Sequence, residues 1–484
     1  MLGRSRFAII FTLLCAAASP FISAAPRNTE VNLPELGEVS ASHYSSQQEY
    51  ELGRMWLKMF RTQVQTLSDP LLQSYLESTL YNLAVHSDLK DHRLDTVIVD
   101  NETINAFAVP GGVIGIHSGL FLFSDNEAQF AGVLAHELGH LSQRHFNRSI
   151  DKARESAIPS LAGMLAGIII AATAGADAGI AAITATQAAA LDNRLRFSRE
   201  HEKEADRVGM ETLARADMDP AGIPAMFENM NENLRYARSK PPEFLLTHPL
   251  TESRISDSKN RARQYQRKVY TDSLNFQLMK MRAELHHAKE PENQLIKWQR
   301  ATGANGEARR YGIVIALIEL ERWGEAEKQL ADLLREDPGR IAYTIAHSDI
   351  LLGQKKTAQA IAVLREELDL SPGNHPLTMQ LAYVLEKSGR YKEADTVLSA
   401  HSERRPSDPA LWYQLAEIRG LAGNILGVHM ARAEYFYLNA QFDRAKSQLQ
   451  YAYPLTGNNA FLQGKIKQRL REINDMRKKL EEFK

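Results

Sequence analysis

The stretch Val133–His145, VLAHELGHLSQRH, places two histidines and a glutamate in the pattern HExxH. Residues four apart lie on one face of an α-helix, so His136 and His140 can offer imidazole nitrogens to a single zinc ion. Glu137 follows the first histidine, where a carboxylate can take a proton from a zinc-activated water. A structural zinc site does not need that glutamate, so the pattern predicts a zinc-dependent hydrolase.

The helix that carries this pattern is predicted from the longer segment FSDNEAQFAGVLAHELGHLSQRHF, residues 123–146. Ser124 and Glu127 have the spacing of a capping box at its start. Apolar residues then recur at helical spacing: Phe130, Val133, Leu134, Leu138 and Leu141. The extended pattern HExxHxxGxxH is excluded because Gln143 and Phe146 replace its glycine and its last histidine. The third zinc ligand must therefore come from another segment.

A second helix, predicted over SREHEKEADRVGMETLARADM at residues 198–218, can supply that ligand. Glu202 and Asp206 are four residues apart, so Glu202 can bind the metal while Asp206 hydrogen-bonds a ligand histidine or the reacting group. Three neighbours fit less well, because they face another way or lack an aspartate four residues on: Glu200, His201 and Glu204. The alternative is a charged, solvated helix with no ligand.

The segment INAFAVPGGVIGIHSGLF, residues 104–121, is strand-like in a region that otherwise has helical patterns. A Pro-Gly-Gly turn precedes a predicted strand over residues 112–116. A strand beside a metal site can bind a peptide substrate by edge pairing, with little demand on the substrate's sequence. The residues predicted to do so are Gly112, Val113, Ile114, Gly115 and Ile116. The alternative is an internal hairpin strand.

A helical repeat occupies the chain from Thr271 onward. An alanine and a proline mark three copies, and both advance by 34 residues: Ala326 and Pro338, Ala360 and Pro372, and Ala394 and Pro406. This period is typical of tetratricopeptide repeats, which stack into a solenoid that binds other polypeptides. A fourth copy, with Ala445 and Pro454, is out of register, which predicts an insertion near residues 420–430.

Composition and the N-terminal segment set the wider class. The 484 residues are enough for more than one domain, and the net charge of −1 argues against a nucleic-acid-binding protein. Residues 1–24 have the layout of a secretory signal peptide, with Arg4 and Arg6 before an apolar run and cleavage expected after Ala24. The only cysteine, Cys15, lies in that segment, so we expect no disulfide. The expected domains are a zinc metallopeptidase over 25–270 and the repeats over 271–484.

A second apolar segment, residues 161–190, is rich in alanine and glycine and contains one charged residue, Asp177. We expect small-residue helices packed within the domain, or a hairpin that makes a peripheral contact with a membrane surface. A membrane span is disfavoured because it requires roughly 20 strongly apolar residues.

The proline-rich segment PPEFLLTHPLTESRISD, residues 241–257, contains two further candidates. His248 either takes the fourth zinc position, which would displace water and restrain activity, or serves as a substrate-pocket or structural residue. Arg254 either stabilises the oxyanion or binds substrate, or it pairs with a carboxylate near the site. The remaining histidines near these motifs are expected at the surface or behind the ligands: His117, His145 and His201.

Three segments carry a family resemblance: NAFAVPGGVIGIHSGL at 105–120, HELGHLSQRH at 136–145 and EKEADRVG at 202–209. They resemble, in that order, the HtpX-like and CAAX-prenyl-protease-like zinc metallopeptidases. The resemblance implies a mainly α, zincin-like metallopeptidase domain with a small β element, followed by an α-solenoid of tetratricopeptide repeats. It also implies one Zn²⁺ per chain, bound by His136, His140 and Glu202, with Glu137 as general base and Asp206 as proton donor or orienting residue.

The export signal and the repeats together resemble the periplasmic branch of that family. Its members act on unfolded or stalled outer-membrane β-barrel proteins, aiding assembly and degrading misassembled chains, together with the barrel-assembly machinery. The expected function is therefore that of a periplasmic zinc endopeptidase with a chaperone-like role. One alternative is a repeat-based chaperone or scaffold with a repressed or structural zinc site. Another, a membrane-bound prenyl-protein protease, is disfavoured by the lack of several apolar spans.

Overall fold

The computed structural model describes residues 45–149, 188–236, 243–266, 268–302 and 306–483. The expected signal peptide lies outside these ranges, as does most of the apolar segment 161–190. Within the described ranges, no helix combines the length and apolar character that crossing a membrane requires. The expectations for the signal peptide and the apolar segment stay predictions.

The described chain is mainly α-helical with one small sheet, as the sequence predicts. Its strands are β1 (Asp95–Val99), β2 (Ala106–Val109) and β3 (Val113–His117). The helices of the N-terminal part are α1 (Ser46–Phe60), α2 (Pro70–Val85), α3 (Gly119–Phe123), α4 (Glu127–Ser142), α5 (Ala188–Arg215), α6 (Gly222–Tyr236), α7 (Glu243–Thr247) and α8 (Glu252–Ala262). Those that follow are α9 (Leu274–His286), α10 (Pro291–Arg300), α11 (Gly306–Glu319), α12 (Trp323–Glu336), α13 (Ile341–Gly353), α14 (Thr357–Leu370), α15 (His375–Lys387), α16 (Tyr391–Arg404), α17 (Pro409–Leu421), α18 (Ile425–Leu438), α19 (Phe442–Leu455) and α20 (Ala460–Phe483).

The sheet corrects one prediction about the substrate strand. The strand order is β1-β3-β2, with β3 parallel to β1 and antiparallel to β2. The predicted strand is therefore present as β3, but its role as a free edge is wrong, because both of its sides are paired. The affected residues are Gly112, Val113, Ile114, Gly115 and Ile116. The physical reason is the turn: Gly111 and Gly112 adopt φ of 84° and 78°, which folds β2 back onto β3. Among the described strands, β2 is the edge next to α4.

The helix with the HExxH pattern begins two residues later than the predicted capping box would place it. Its N-cap is Asn126, whose side chain accepts a backbone N–H three residues on. Ser124 instead ends α3, and its hydroxyl donates to a carbonyl of that helix. Glu127 accepts a hydrogen bond from the Tyr75 hydroxyl at 2.6 Å, which ties α4 to α2. The capping-box prediction is wrong because an asparagine two residues later caps the helix equally well.

Helices α4 and α5 approach each other closely at two glycines. A Cβ atom on Gly139 would lie 3.0 Å from the Ala205 carbonyl oxygen, and one on Gly209 would lie 3.1 Å from the Ala135 carbonyl carbon. Such distances are shorter than ordinary van der Waals contact, so only glycine fits without moving one backbone. This approach places the helix with Glu202 against the helix with the two histidines.

The repeat domain has the predicted period. The second helices of successive pairs begin at Trp323, Thr357, Tyr391 and Ile425, each 34 residues after the last. The marker alanines, Ala326, Ala360 and Ala394, are fully buried. The predicted insertion near 420–430 is wrong, because α18 begins in register within that segment. The fourth copy is displaced in sequence because Ala445 lies on α19, the first helix of the next pair.

The repeats pack directly on the N-terminal part of residues 45–483. One continuous hydrophobic core contains Leu72 of α2, Phe276 of α9 and Leu377 of α15. The Arg405 guanidinium donates to both carboxylate oxygens of Glu77, at 2.9 and 2.7 Å. The expected domain boundary at residue 270 stays a prediction.

Candidate metal centre

Side chains from three parts of the fold bring their metal-binding atoms together. His136 and His140 lie one turn apart on α4, with their Nε2 atoms 3.1 Å apart. The Glu202 carboxylate, from α5, lies 3.3 Å from His136 Nε2 and 3.4 Å from His140 Nε2. His248, between α7 and α8, places Nδ1 3.1 Å from Glu202 Oε1. One donor atom from each of the four lies within 4.8 Å of the others.

This donor set fits a divalent transition-metal ion. Imidazole nitrogens and a carboxylate are ligands that zinc prefers, and a ligand must be free of its proton to bind. Burial lowers the pKa of His140 well below its usual value, so its imidazole is neutral. Burial raises the pKa of the Glu202 carboxyl, but its contacts with His248 and His136 outweigh burial and hold the pKa well below its usual range. The carboxylate is therefore ionised although it is buried.

Asp206 and Arg254 support His136 and Glu202 from behind. Asp206 Oδ1 lies 2.9 Å from His136 Nδ1, which leaves Nε2 directed at the other donors. Arg254 donates to both Asp206 oxygens, at 2.8 and 2.7 Å, and its Nη1 lies 2.9 Å from Glu202 Oε2. Arg254 is only 1% exposed. These contacts agree with the carboxylate-pairing alternative for Arg254, and its oxyanion or substrate-binding role stays a prediction.

A second chain of contacts supports His140. His145 places Nδ1 2.9 Å from His140 Nδ1 and Nε2 3.1 Å from Glu204 Oε2, and Arg148 also donates to that carboxylate. The carboxylate can only accept, so His145 carries its proton on Nε2 and accepts one from His140 Nδ1–H. That leaves His140 Nε2 without a proton and aimed at the other donors. The ring of His201 stacks on His145 with centroids 4.1 Å apart.

The sequence placed His145 and His201 outside the ligand set, in agreement with these positions, but it missed the part played by Glu204. Glu204 was discounted because it faces away from Glu202 on the helix. That same direction brings it to His145. One sequence signal could have indicated this contact. His145 lies five residues after His140, just beyond the end of α4.

Glu137 lies at the inner end of the site. It is 1% exposed, and burial raises the pKa of its carboxyl, an effect that His248 and His136 only partly offset. The backbone N–H of Ala108, on β2, donates to this carboxylate. Among the described residues, Glu137 Oε1 has no hydrogen-bond partner, and His248 Nε2 lies 3.5 Å away. A buried carboxylate with an unused oxygen beside the donor atoms is available to a small reactant such as water.

The segment that carries His248 is held against the sheet. The His248 ring stacks on Phe244 with centroids 4.7 Å apart, and the Phe244 N–H donates to the Ile104 carbonyl, just before β2. His248 therefore lies over the donor atoms from the side of the edge strand. The sequence left open whether His248 is a fourth metal ligand or a substrate-pocket or structural residue. This geometry agrees with the position of a metal ligand.

Comparison with known proteins identifies the family. The model for Peptidase family M48 matches residues 70–262, and a tetratricopeptide repeat model matches residues 351–418. The beta-barrel assembly-enhancing protease of Escherichia coli (strain K12) is 32% identical over 480 residues, which is 98% of each chain. The chain belongs to the beta-barrel assembly-enhancing protease family. A Vibrio cholerae member of that family, named as putative, is 33% identical over 90% of each chain.

More distant relatives cover a smaller share of the chain. The mitochondrial metalloendopeptidase OMA1 of Arabidopsis thaliana is 29% identical over 185 residues, 38% of this chain and 35% of that one. Membership of this family makes the chain a metalloendopeptidase that carries tetratricopeptide repeats and requires a metal ion. The resemblance predicted from the three motifs is confirmed. The convergent histidines and glutamate are compatible with that activity.

Proposed function

We propose that His136, His140 and Glu202 hold one Zn²⁺ and that Glu137 is the general base of the endopeptidase. The observation that carries this proposal is the convergence of two imidazole Nε2 atoms on an ionised, buried carboxylate, with the unused Glu137 oxygen beside them. When bound, zinc would lower the pKa of the attacking water and polarise the scissile carbonyl.

The chain's own groups then handle the protons. Glu137 takes a proton from the attacking water and later delivers it to the leaving amine. Its raised pKa makes it a stronger base than a solvated glutamate, and the Ala108 N–H holds the carboxylate in place. Asp206 is a positioning residue rather than a proton donor, because it lies behind His136 and is engaged by Arg254.

The peptide substrate pairs with β2 rather than with β3. β2 is the edge strand of the described sheet, and the backbone of Ala108 already reaches Glu137. A peptide that adds to this edge is held by backbone hydrogen bonds, so its scissile bond lies near the general base whatever its sequence. Broad recognition of unfolded chains follows from this mode of binding.

The substrates are unfolded or stalled outer-membrane β-barrel proteins in the periplasm, which the chain helps to assemble or degrades. Relatives that match 98% and 90% of the chain carry the name beta-barrel assembly-enhancing protease, which supports this substrate class. The tetratricopeptide repeats supply a polypeptide-binding surface for substrates and for the barrel-assembly machinery. The signal peptide predicted at residues 1–24 supports export.

His248 restrains the enzyme as a fourth zinc ligand. Its Nδ1 lies 3.4 Å from His136 Nε2 and 3.1 and 3.2 Å from the Glu202 oxygens, so it stands where a water would otherwise enter. A catalytic zinc site keeps one position open for water, and an imidazole in that position blocks the reaction. While His248 occupies that position, the zinc site is repressed and the chain acts through its repeats, as in the chaperone alternative.

The test is cleavage of a purified, unfolded outer-membrane β-barrel protein by the chain without residues 1–24. We expect wild type to cut slowly, His248→Ala to cut faster, and Glu137→Gln to lose at least about 100-fold in rate while still binding zinc. His86→Ala, which changes a histidine away from the site, is the matched control. If none of the variants cuts although zinc is bound, the peptidase proposal fails for this substrate. If His248→Ala is no faster than wild type, the restraint is refuted.

A further inference from the structure

A second group of metal-binding side chains joins the sheet to the helices that lead into the repeats. Asp100 follows β1, while His286 and His287 end α9. One donor atom from each of the three lies within 4.8 Å of the other two. We propose that Asp100, His286 and His287 form a second metal site, for a divalent transition-metal ion such as Zn²⁺ or Ni²⁺.

The contacts of Ser118 hold the ring of His287 in place. Ser118 Oγ lies 3.1 Å from the Asn101 carbonyl oxygen and accepts the Asn101 N–H at 3.2 Å. It also lies 2.7 Å from His287 Nε2, within hydrogen-bond distance. This contact engages Nε2, so Nδ1 is the ring nitrogen of His287 that remains for an ion. Ser118 is fully buried, so it orients the imidazole in the way that outer-shell partners orient metal ligands.

The carboxylate of Asp100 is oriented in the same manner. Gln65 Nε2 donates to Asp100 Oδ2 at 3.2 Å, and His286 Nε2 lies 2.7 Å from Asp100 Oδ1. A metal ion would take the place of the proton that His286 and Asp100 now share, so that binding releases this proton. Both histidines lie at the C-terminal end of α9, where the helix dipole favours a cation.

The donor types decide the class of metal. Two imidazoles and one carboxylate suit Zn²⁺, Ni²⁺ and similar ions, whereas Mg²⁺ and Ca²⁺ prefer ligand sets made of oxygen. His286 is 38% exposed on its side chain, so an ion can enter from solvent. Asp100 lies within the matched peptidase segment 70–262 and the two histidines lie beyond it. A bound ion would therefore link the peptidase segment to α9.

The experiment counts bound Zn²⁺ per chain after equilibrium dialysis, for wild type, His286→Gln and His287→Gln. His92→Gln, which changes an exposed histidine outside both groups of donors, is the control. We expect each site variant to bind one ion fewer than wild type, and the control to match wild type. The difference of one ion does not depend on how many ions the candidate metal centre holds, so failure of the proposed function would not be mistaken for failure of this site. Equal zinc content in wild type and His286→Gln would overturn the proposal.

A thermal measurement separates a specific site from loose surface binding. Added Zn²⁺ should raise the melting temperature of wild type and of His92→Gln by more than that of His286→Gln, because only a site in the folded chain stabilises it by mass action. An equal zinc-induced rise of the melting temperature in wild type, His92→Gln and His286→Gln would refute a metal site between Asp100 and α9.

Discussion

Replacing Asp206 with asparagine tests whether the groups behind the ligands support both the fold and the metal. Asp206 is 4% exposed and has three close contacts with charged or chargeable groups. Arg254 donates to its two oxygens at 2.8 and 2.7 Å, and His136 Nδ1 lies 2.9 Å from Oδ1. Asparagine keeps the shape of the side chain but removes the charge and turns one acceptor into a donor, which then faces Arg254 or His136.

The size of the effect follows from these contacts. Removing one partner of a buried ion pair costs about 3–5 kcal/mol. Glu202 remains 2.9 Å from Arg254 and keeps part of the compensation, so we expect a loss of about 2–4 kcal/mol in the free energy of unfolding. His136 also loses the partner that orients it, and changes of this kind lower metal affinity by about 10–100-fold.

Two assays measure these effects on the same preparation. Denaturant unfolding of the metal-free chain gives the free energy, and competition with a chelator gives the zinc affinity. Asp257→Asn is the matched control, because Asp257 is 58% exposed and its contacts with Lys203 and with the Ser253 hydroxyl are both long, at 3.4 Å. A change in Asp206→Asn of less than about 0.5 kcal/mol, with zinc affinity equal to the control, would refute the reasoning.

Three further predictions concern packing, the metal and pH. Gly209→Ala would place a Cβ 3.1 Å from the Ala135 carbonyl carbon. We therefore expect denaturant unfolding to show about 1–3 kcal/mol of destabilisation, together with weaker zinc binding. The control Gly464→Ala, at an exposed glycine, should show neither effect. Chelation should abolish cleavage and lower the melting temperature, and added zinc should restore both. Burial raises the pKa of Asp349 to about 6, so the folded state holds this proton more tightly than the unfolded state and stability falls as pH rises from about 4 to about 6. Asp349→Asn should flatten that slope and add about 1–2 kcal/mol at pH 7.

The ligand helices were predictable because their chemistry is local. The spacing of His136 and His140 puts both on one face of a helix, and the E-x-x-A-D form of the second helix singled out Glu202 and Asp206. The repeat period of 34 was likewise visible, since each helix pair buries its own alanine against its neighbour.

The errors arose where the outcome depends on contacts between distant segments. Whether β3 is an edge depends on how tightly the Gly111–Gly112 turn returns β2 to it, which a strand pattern does not encode. Arg254 was open to two roles because a sequence does not reveal that Asp206 and Glu202 both face it. The register of the last repeats was misjudged because Ala445 marks a first helix, whereas the earlier alanines mark second helices.

The most direct test of the metal site is the position of the zinc ion itself. Crystals of the purified chain measured at the zinc absorption edge should show an anomalous peak about 2.0–2.2 Å from His136 Nε2, His140 Nε2 and a Glu202 carboxylate oxygen. A peak with this coordination would establish the three ligands independently of any activity assay. Zinc-replete crystals with no peak between α4 and α5, or with a peak that Glu202 does not reach, would contradict the central claim.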